Sequence, residues 1–97
     1  MATPLSAEKI ESALSDLPGW GYSEGKLHKK FKFGSFKEAV SFIVRIAFEA
    51  EDQNHHPELT NIYSTVDIAL STHDAGDKVT EKDIKLARAI QSLSWVG

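Results

Sequence analysis

Residues 51–73 read EDQNHHPELTNIYSTVDIALSTH; in this stretch a helix has to stop, two strands follow, and three of the chain's four histidines are delivered. Pro57 cannot extend a helix, because it has no N–H and its ring collides with the preceding turn. It also pushes His56 into an extended backbone conformation. His55 and His56 therefore occupy a stiff joint between a helix and a strand. The spacing predicts strands over Leu59–Tyr63 and Thr65–Thr72, joined tightly around Ser64. In the second, Val66, Ile68 and Leu70 point one way, and Asp67, Ala69, Ser71 and His73 the other. The first set suits a core beneath helices; the second, small and polar, suits a binding surface or subunit contact.

Working upstream, Phe36, Val40, Ile43 and Ala47 recur at three- and four-residue steps after Ser35, a candidate N-cap, and Val44 and Phe48 widen the apolar stripe. Continued to its end, that stripe carries Ala50 and Glu51, so Glu51 is expected beside an apolar face. Before this helix, Trp20 to Phe33 reads as short extended pieces around a turn at Ser23-Glu24-Gly25. Leu27, Phe31 and Phe33 share one face there, and His28, Lys30 and Lys32 the other. Ser6 caps a first helix carrying Ile10, Ala13, Leu14 and Leu17, which Pro18-Gly19 ends. Downstream, Asp74-Ala75-Gly76-Asp77 forms a turn. Thr80-Glu81-Lys82-Asp83 has the form of a capping box opening a last helix with Leu86, Ala89, Ile90 and Leu93 on its apolar side. The order helix, two strands, helix, two strands, helix predicts an α+β fold in which helices cover the apolar face of an antiparallel sheet. The other sheet face and the strand edges are left for a second subunit.

Ninety-seven residues allow one domain, expected over 1–97, because a second core would not fit. The net charge of −3 argues against a nucleic-acid binder that works by neutralising phosphates. Lys26, Lys29, Lys30 and Lys32 divide between two strand faces, which is the pattern of a protected or solvated strand. With no cysteine, thiol catalysis, disulfides and Cys-type zinc sites are all excluded. No stretch approaches the ~20 apolar residues needed to span a bilayer, and the N-terminal residues carry no signal-peptide pattern. The expectation is a cytosolic protein.

Three imidazoles in a short window suit proton transfer near neutral pH. A metal site fits the same residues less well, since adjacent His55 and His56 diverge where helical ligands stand three or four apart. Histidine at a helix C-terminus also has a purely structural use, toward free carbonyls and the dipole. Asp83 is explained by capping alone. Glu51, one turn before the pair, is a candidate to orient an imidazole. Trp20, Tyr63 and Trp95 are expected in the core or at an interface, with Trp20 also able to wall a flat ligand. His28 is expected in solvent.

Glu51-x3-His55-His56-Pro57, the aromatic Tyr63, then His73 and Asp83 together resemble the signature of the pterin-4a-carbinolamine dehydratases, a family also known as dimerisation cofactors of a homeodomain transcription factor. Pro18-Gly19-Trp20, Phe31-x-Phe33, the Phe36 helix and Ser71-Thr72-His73 extend the likeness over nearly the whole chain. Leu59 stands where animal members usually carry tryptophan. The resemblance implies a four-stranded antiparallel sheet with three helices on one face, a homodimer or homotetramer, and a second role with a transcription-factor partner and a nuclear location. It implies loss of water from 4a-hydroxy-tetrahydropterin to give quinonoid dihydropterin, in tetrahydrobiopterin recycling, without metal or organic cofactor. His55, His56 and His73 would be catalytic, with Glu51, Trp20 and Asp83 binding or orienting. On this reading His55 and His73 flank the 4a position as acid–base groups and His56 orients the hydroxyl or ring. The competing readings are a non-enzymatic interaction module and a metal-dependent hydrolase.

Overall fold

The computed structural model describes residues 2–97; Met1, part of the N-terminal stretch read above, lies outside them. The chain forms α1 (Ala7–Leu14), β1 (Gly21–Ser23), β2 (Lys26–Lys32), α2 (Phe36–Gln53), β3 (Glu58–Ile62), β4 (Thr65–Leu70) and α3 (Glu81–Leu93), with a 3-10 turn at His73–Ala75. The four strands make one antiparallel sheet in the order β1-β2-β4-β3. The β1–β2 hairpin closes on Glu24 and Gly25, both at positive φ, as a two-residue turn requires. The β3–β4 hairpin turns on Tyr63 and Ser64, between paired Ile62 and Thr65.

One face of the sheet, carrying Leu27, Phe31, Val66, Ile68 and Leu70, packs against Ile10 of α1, Ala39, Phe42 and Ile46 of α2, and Ile84, Leu86, Ala87 and Ile90 of α3. All three helices therefore lie on the same side. Phe31, Phe33 and Phe42 form an aromatic part of this core, and the half-exposed Trp95 packs on its edge, with ring centroids 4.8 to 6.4 Å apart. Lys29 is the one lysine of β2 whose ammonium turns toward the helical side. It donates to the carbonyls of Pro18 and Gly97 and to Gln91 Oε1, and its partial burial lowers its pKa.

Several expectations change. The first helix ends at Leu14 rather than at Pro18, and Leu17 reaches the core from the turn that follows. In α2 the buried stripe is Ala39, Phe42, Ile46 and Ala50, while Phe36, Val40, Val44 and Phe48 are exposed. This helix is apolar on two sides, so helical spacing could not tell which side meets the sheet. Glu51 follows the solvent side and is exposed. Tyr63 is exposed in its turn, and Trp95, though it packs on Phe33, also keeps one side exposed. β4 ends at Leu70, so His73 opens the 3-10 turn rather than closing a strand.

Candidate functional site

Two helix ends and the 3-10 turn after β4 build the site. At the C-terminus of α2, Asn54 takes a left-handed conformation at φ 51°. The His55 N–H then donates to the Ala50 carbonyl at 3.0 Å and the Asn54 N–H to Glu51 at 3.1 Å. This double closure is a Schellman cap. The helix carbonyls are thus met by backbone N–H groups, which leaves both imidazoles free of the capping duty open to them. Pro57 then starts the run into β3.

At the N-terminus of α3, Asp83 is fully buried and its carboxylate is shared three ways. Oδ2 accepts from the Thr80 N–H at 2.9 Å, completing the capping box, and from the Thr72 hydroxyl at 2.8 Å. Oδ1 accepts from His55 Nε2 at 2.6 Å. A carboxylate fixed by a peptide N–H acts as an acceptor, so His55 Nε2 is the donor, and in the neutral ring the lone pair is on Nδ1. Capping was the reading of Asp83 from its local sequence, beside the binding or orienting role that the resemblance implied. The structure gives it that role and a histidine to hold as well.

The other two imidazoles also have carboxylates. His56 Nε2 donates to Glu51 Oε1 at 2.7 Å, and His73 Nδ1 donates to Asp77 Oδ1 at 3.0 Å. Exposure separates the three pairs: 11% and 0% for His55 and Asp83, 60% and 78% for His56 and Glu51, 93% and 66% for His73 and Asp77. The hydrogen bond His73 donates to Asp77 and the charge of that carboxylate raise the pKa of His73 above 6.5, with a smaller push from Asp74. Its Nε2 remains the unengaged nitrogen.

His55, His56 and His73 line one open cleft of about 300 Å³, together with Asn54, Ser71 and Lys82. That volume lies at the lower end of the range for small-molecule sites, roughly 300–1,000 Å³. Among the described residues, no group of three or more histidine or carboxylate side chains is arranged to hold a metal ion. Trp20 is not brought to this cleft. It is buried, its indole N–H donates to Gln91 Oε1 at 3.0 Å, and its ring meets Phe31 edge-on. Gln91 stands eight residues beyond Asp83 on α3, roughly 12 Å along the helix. Asp77, Thr72 and Lys82 were read in the sequence as turn, strand-end and capping-box residues, not as site residues. Asp77 had a signal, four residues after His73; Thr72 and Lys82 join through the meeting of β4 and α3.

The family model described as pterin 4 alpha carbinolamine dehydratase matches residues 3–93. The "Putative pterin-4-alpha-carbinolamine dehydratase" of Opitutus terrae is 53% identical over 97 residues, covering all of both chains. The protein so named in Christiangramia forsetii is 50% identical, over 96% of this chain and 95% of its own. Among solved structures, a transcriptional coactivator/pterin dehydratase from Brucella melitensis superposes with a TM-score of 0.89 at 36% identity, covering 97% of this chain and 99% of that one. A pterin dehydratase-like protein identified as a RuBisCO assembly factor of the alpha-carboxysome shares the fold, with a TM-score of 0.64 at 23% identity over 80% and 89% of the two chains.

Proposed function

This chain belongs to the pterin 4 alpha carbinolamine dehydratase family, and from that premise we propose that it dehydrates a 4a-hydroxy-tetrahydropterin by histidine acid–base catalysis, in recycling of the tetrahydrobiopterin cofactor. The observation that carries the reading is three imidazoles around one cleft, each with a carboxylate on one nitrogen and the other nitrogen unengaged.

The reaction breaks the C4a–O bond and the N5–H bond and forms C4a=N5. Hydroxide is a poor leaving group, so an acid must protonate the departing oxygen, and a base must accept the N5 proton. Each such group typically contributes on the order of 10²- to 10⁴-fold. His73 is suited to be the acid. Its raised pKa keeps the ring protonated further up the pH scale, and its Nε2 is unengaged. His55 is suited to be the base. Asp83 holds the proton on Nε2, so Nδ1 carries the lone pair. His56, steadied by Glu51, orients the hydroxyl or the ring. Water leaves with the proton from His73, and the proton gained by His55 returns through solvent. The residues assigned here do this with no metal or organic cofactor, and the substrate is the only small molecule required.

The test is the decay of a freshly generated carbinolamine, followed by its ultraviolet absorption, with and without protein. Catalysed decay supports the reading; decay at the spontaneous rate overturns it.

A second reading rests on α2. Phe36, Val40, Val44 and Phe48 leave an apolar stripe along its outer side, and such a stripe is buried when chains self-associate. We infer a homodimer or homotetramer that uses it. The likeness to the transcriptional coactivator/pterin dehydratase of Brucella melitensis supports a further protein partner. Phe48→Glu should lower the mass measured by sedimentation; an unchanged mass would remove α2 from the contact.

A further inference from the structure

The histidine cleft is unfinished within one chain. Apart from the imidazoles it is lined by Asn54, Ser71, Thr72, Asp74 and Lys82, none of them apolar. Small-molecule sites are mostly walled by hydrophobic and aromatic side chains. Tyr63, by contrast, stands 84% exposed at the tip of the β3–β4 hairpin, in the left-handed region at φ 51°. A bulky residue is strained there, and such strain tends to mark a functional position.

The strand that leads to Tyr63 is an open edge of the sheet. The Phe33 N–H donates to the Ser64 carbonyl at 2.8 Å. Alternation from that bond turns the backbone groups of Val66, Ile68 and Leu70 toward β2, and those of Thr65, Asp67 and Ala69 toward β3. Ile62, Thr60 and Glu58 are thereby engaged, whereas the N–H and C=O groups of Leu59 and Asn61 point outward. The other edge, β1, has three residues; β3 has five, with no lysine or proline inside it to block pairing.

This edge is complementary to itself. Two copies of β3 can meet antiparallel about a twofold axis at Thr60, so that Leu59 of each faces Asn61 of the other and every outward N–H and C=O finds a partner. Moving the axis to Leu59 sets Asn61 against Pro57, which has no N–H. Moving it to Asn61 sets Leu59 against the left-handed Tyr63. The Thr60 axis also opposes no like charges, since Glu58 meets the exposed Ile62 and Thr60 meets itself. Pro57 and Tyr63 lie at equal distances along the chain from Thr60. Each Tyr63 therefore comes beside Pro57 of the other copy, next to His56. Leu59 packs against the core, so this row lies on the helical side of the sheet, where α2 and α3 frame the cleft.

We propose that a second copy of this chain completes the site: the β3 edges pair about Thr60, and Tyr63 of each copy supplies the aromatic wall of the other's histidine cleft. The flat ligand is taken from the pterin reading above. This contact is separate from the apolar stripe of α2, and both can operate in one assembly.

The experiment reads pairing and binding separately from catalysis. The chain has no cysteine, so single cysteines report the register. Across the axis the two Thr60 Cα atoms form a non-hydrogen-bonded pair about 4.5 Å apart, within reach of a disulfide. Two copies of Ile62 stand roughly 13 Å apart. With oxidised glutathione, Thr60→Cys should give a covalent dimer and Ile62→Cys should not. Binding is followed by calorimetry with 7,8-dihydropterin. Tyr63→Asn, which suits the left-handed turn, should weaken it on the order of tenfold, the worth of one ring stacked on a base; Tyr63→Phe should not. Thr60→Lys lies on the helix-free face of the sheet and sets like charges directly opposite each other. It should weaken binding as much as Tyr63→Asn, and the double variant no further. Equal crosslinking at Thr60→Cys and Ile62→Cys, or parental affinity in Tyr63→Asn or Thr60→Lys, overturns the inference. Dihydropterin binding in the expected pattern without catalysed carbinolamine decay would overturn the dehydratase reading and leave the shared site standing.

Discussion

The histidine–carboxylate pairs at the two sides of the cleft have the same chemistry and opposite surroundings. His55 and Asp83 are joined at 2.6 Å inside the protein, with Asp83 also tied to Thr72 and to the start of α3. His73 and Asp77 are joined at 3.0 Å in water, on a short turn. A buried pair is strongly coupled to folding, because removing one member strands the other without solvent. An exposed pair is screened and adds little to stability, yet it still sets when its imidazole holds a proton. The same fold thus uses one pair to fix a tautomer and the other to tune a titration.

The largest difference should come from deleting each carboxylate. Asp83→Ala removes the capping box, the Thr72 bond and the His55 partner together. Breaking a buried pair costs about 3–5 kcal/mol, a large share of the stability of a small domain. Urea unfolding should show the midpoint falling steeply, whereas Asp77→Asn, which keeps a side chain tolerated at φ 60°, should leave it where it was. Equal midpoints for the two variants would remove the contrast.

Next in size is catalysis. His73→Ala should lower carbinolamine dehydration about 10²- to 10⁴-fold while its melting temperature stays that of the parent, since the ring is almost wholly exposed. His55→Ala should lower both activity and melting temperature, because it leaves Asp83 buried without its partner. Activity and stability then dissociate at one side of the cleft and move together at the other. Full activity in either variant would take that histidine out of the mechanism.

Much of this contrast was legible before any coordinates. α2 ended ahead of Pro57 as expected, though on a left-handed Asn54, the alternation of Val66, Ile68 and Leu70 chose the buried face of β4, and Thr80 to Asp83 announced the capping box. These are local signals, in which the residues that interact lie within four positions of each other. What escaped depended on tertiary placement. α2 offered two apolar stripes, and only packing against the sheet distinguished Ala39, Phe42 and Ile46 from Phe36, Val40 and Val44. Asp83 looked satisfied as a cap, and nothing local indicated that His55, twenty-eight residues earlier, would claim its second oxygen. Trp20, a candidate wall for a flat ligand, went instead to the core, where Phe31 and Gln91 offered its ring an edge contact and its N–H an acceptor.

A smaller effect concerns pH. Asp77 raises the pKa of His73 above 6.5, so the acid form persists to higher pH than in an isolated imidazole. If His73 gives up its proton in the reaction, the alkaline fall in kcat marks deprotonation of this ring in the bound state. Asp77→Asn should bring that fall to lower pH, toward the ordinary histidine value, without lowering the plateau reached in acid. A fall at unchanged pH would assign the limb to another group. The same pair contributes to stability below about pH 6.5 and ceases to as pH rises through the raised pKa; being exposed, it should be hard to detect in a melt.

The smallest effect belongs to the intermediate pair. Glu51 and His56 are both largely exposed, and surface ion pairs are worth roughly 0–1 kcal/mol. Glu51→Gln retains an oxygen that can accept from His56 Nε2, so the ring can hold its orientation with the charge removed. Turnover should change by no more than a few-fold, with the change in KM rather than kcat if His56 only orients the substrate. A collapse of kcat comparable to that in His73→Ala would show that the charge of Glu51 is felt at the reacting atoms. His56 would then act on the proton rather than on the pose, and the division into one structural and one titrating pair would have to become a division among three.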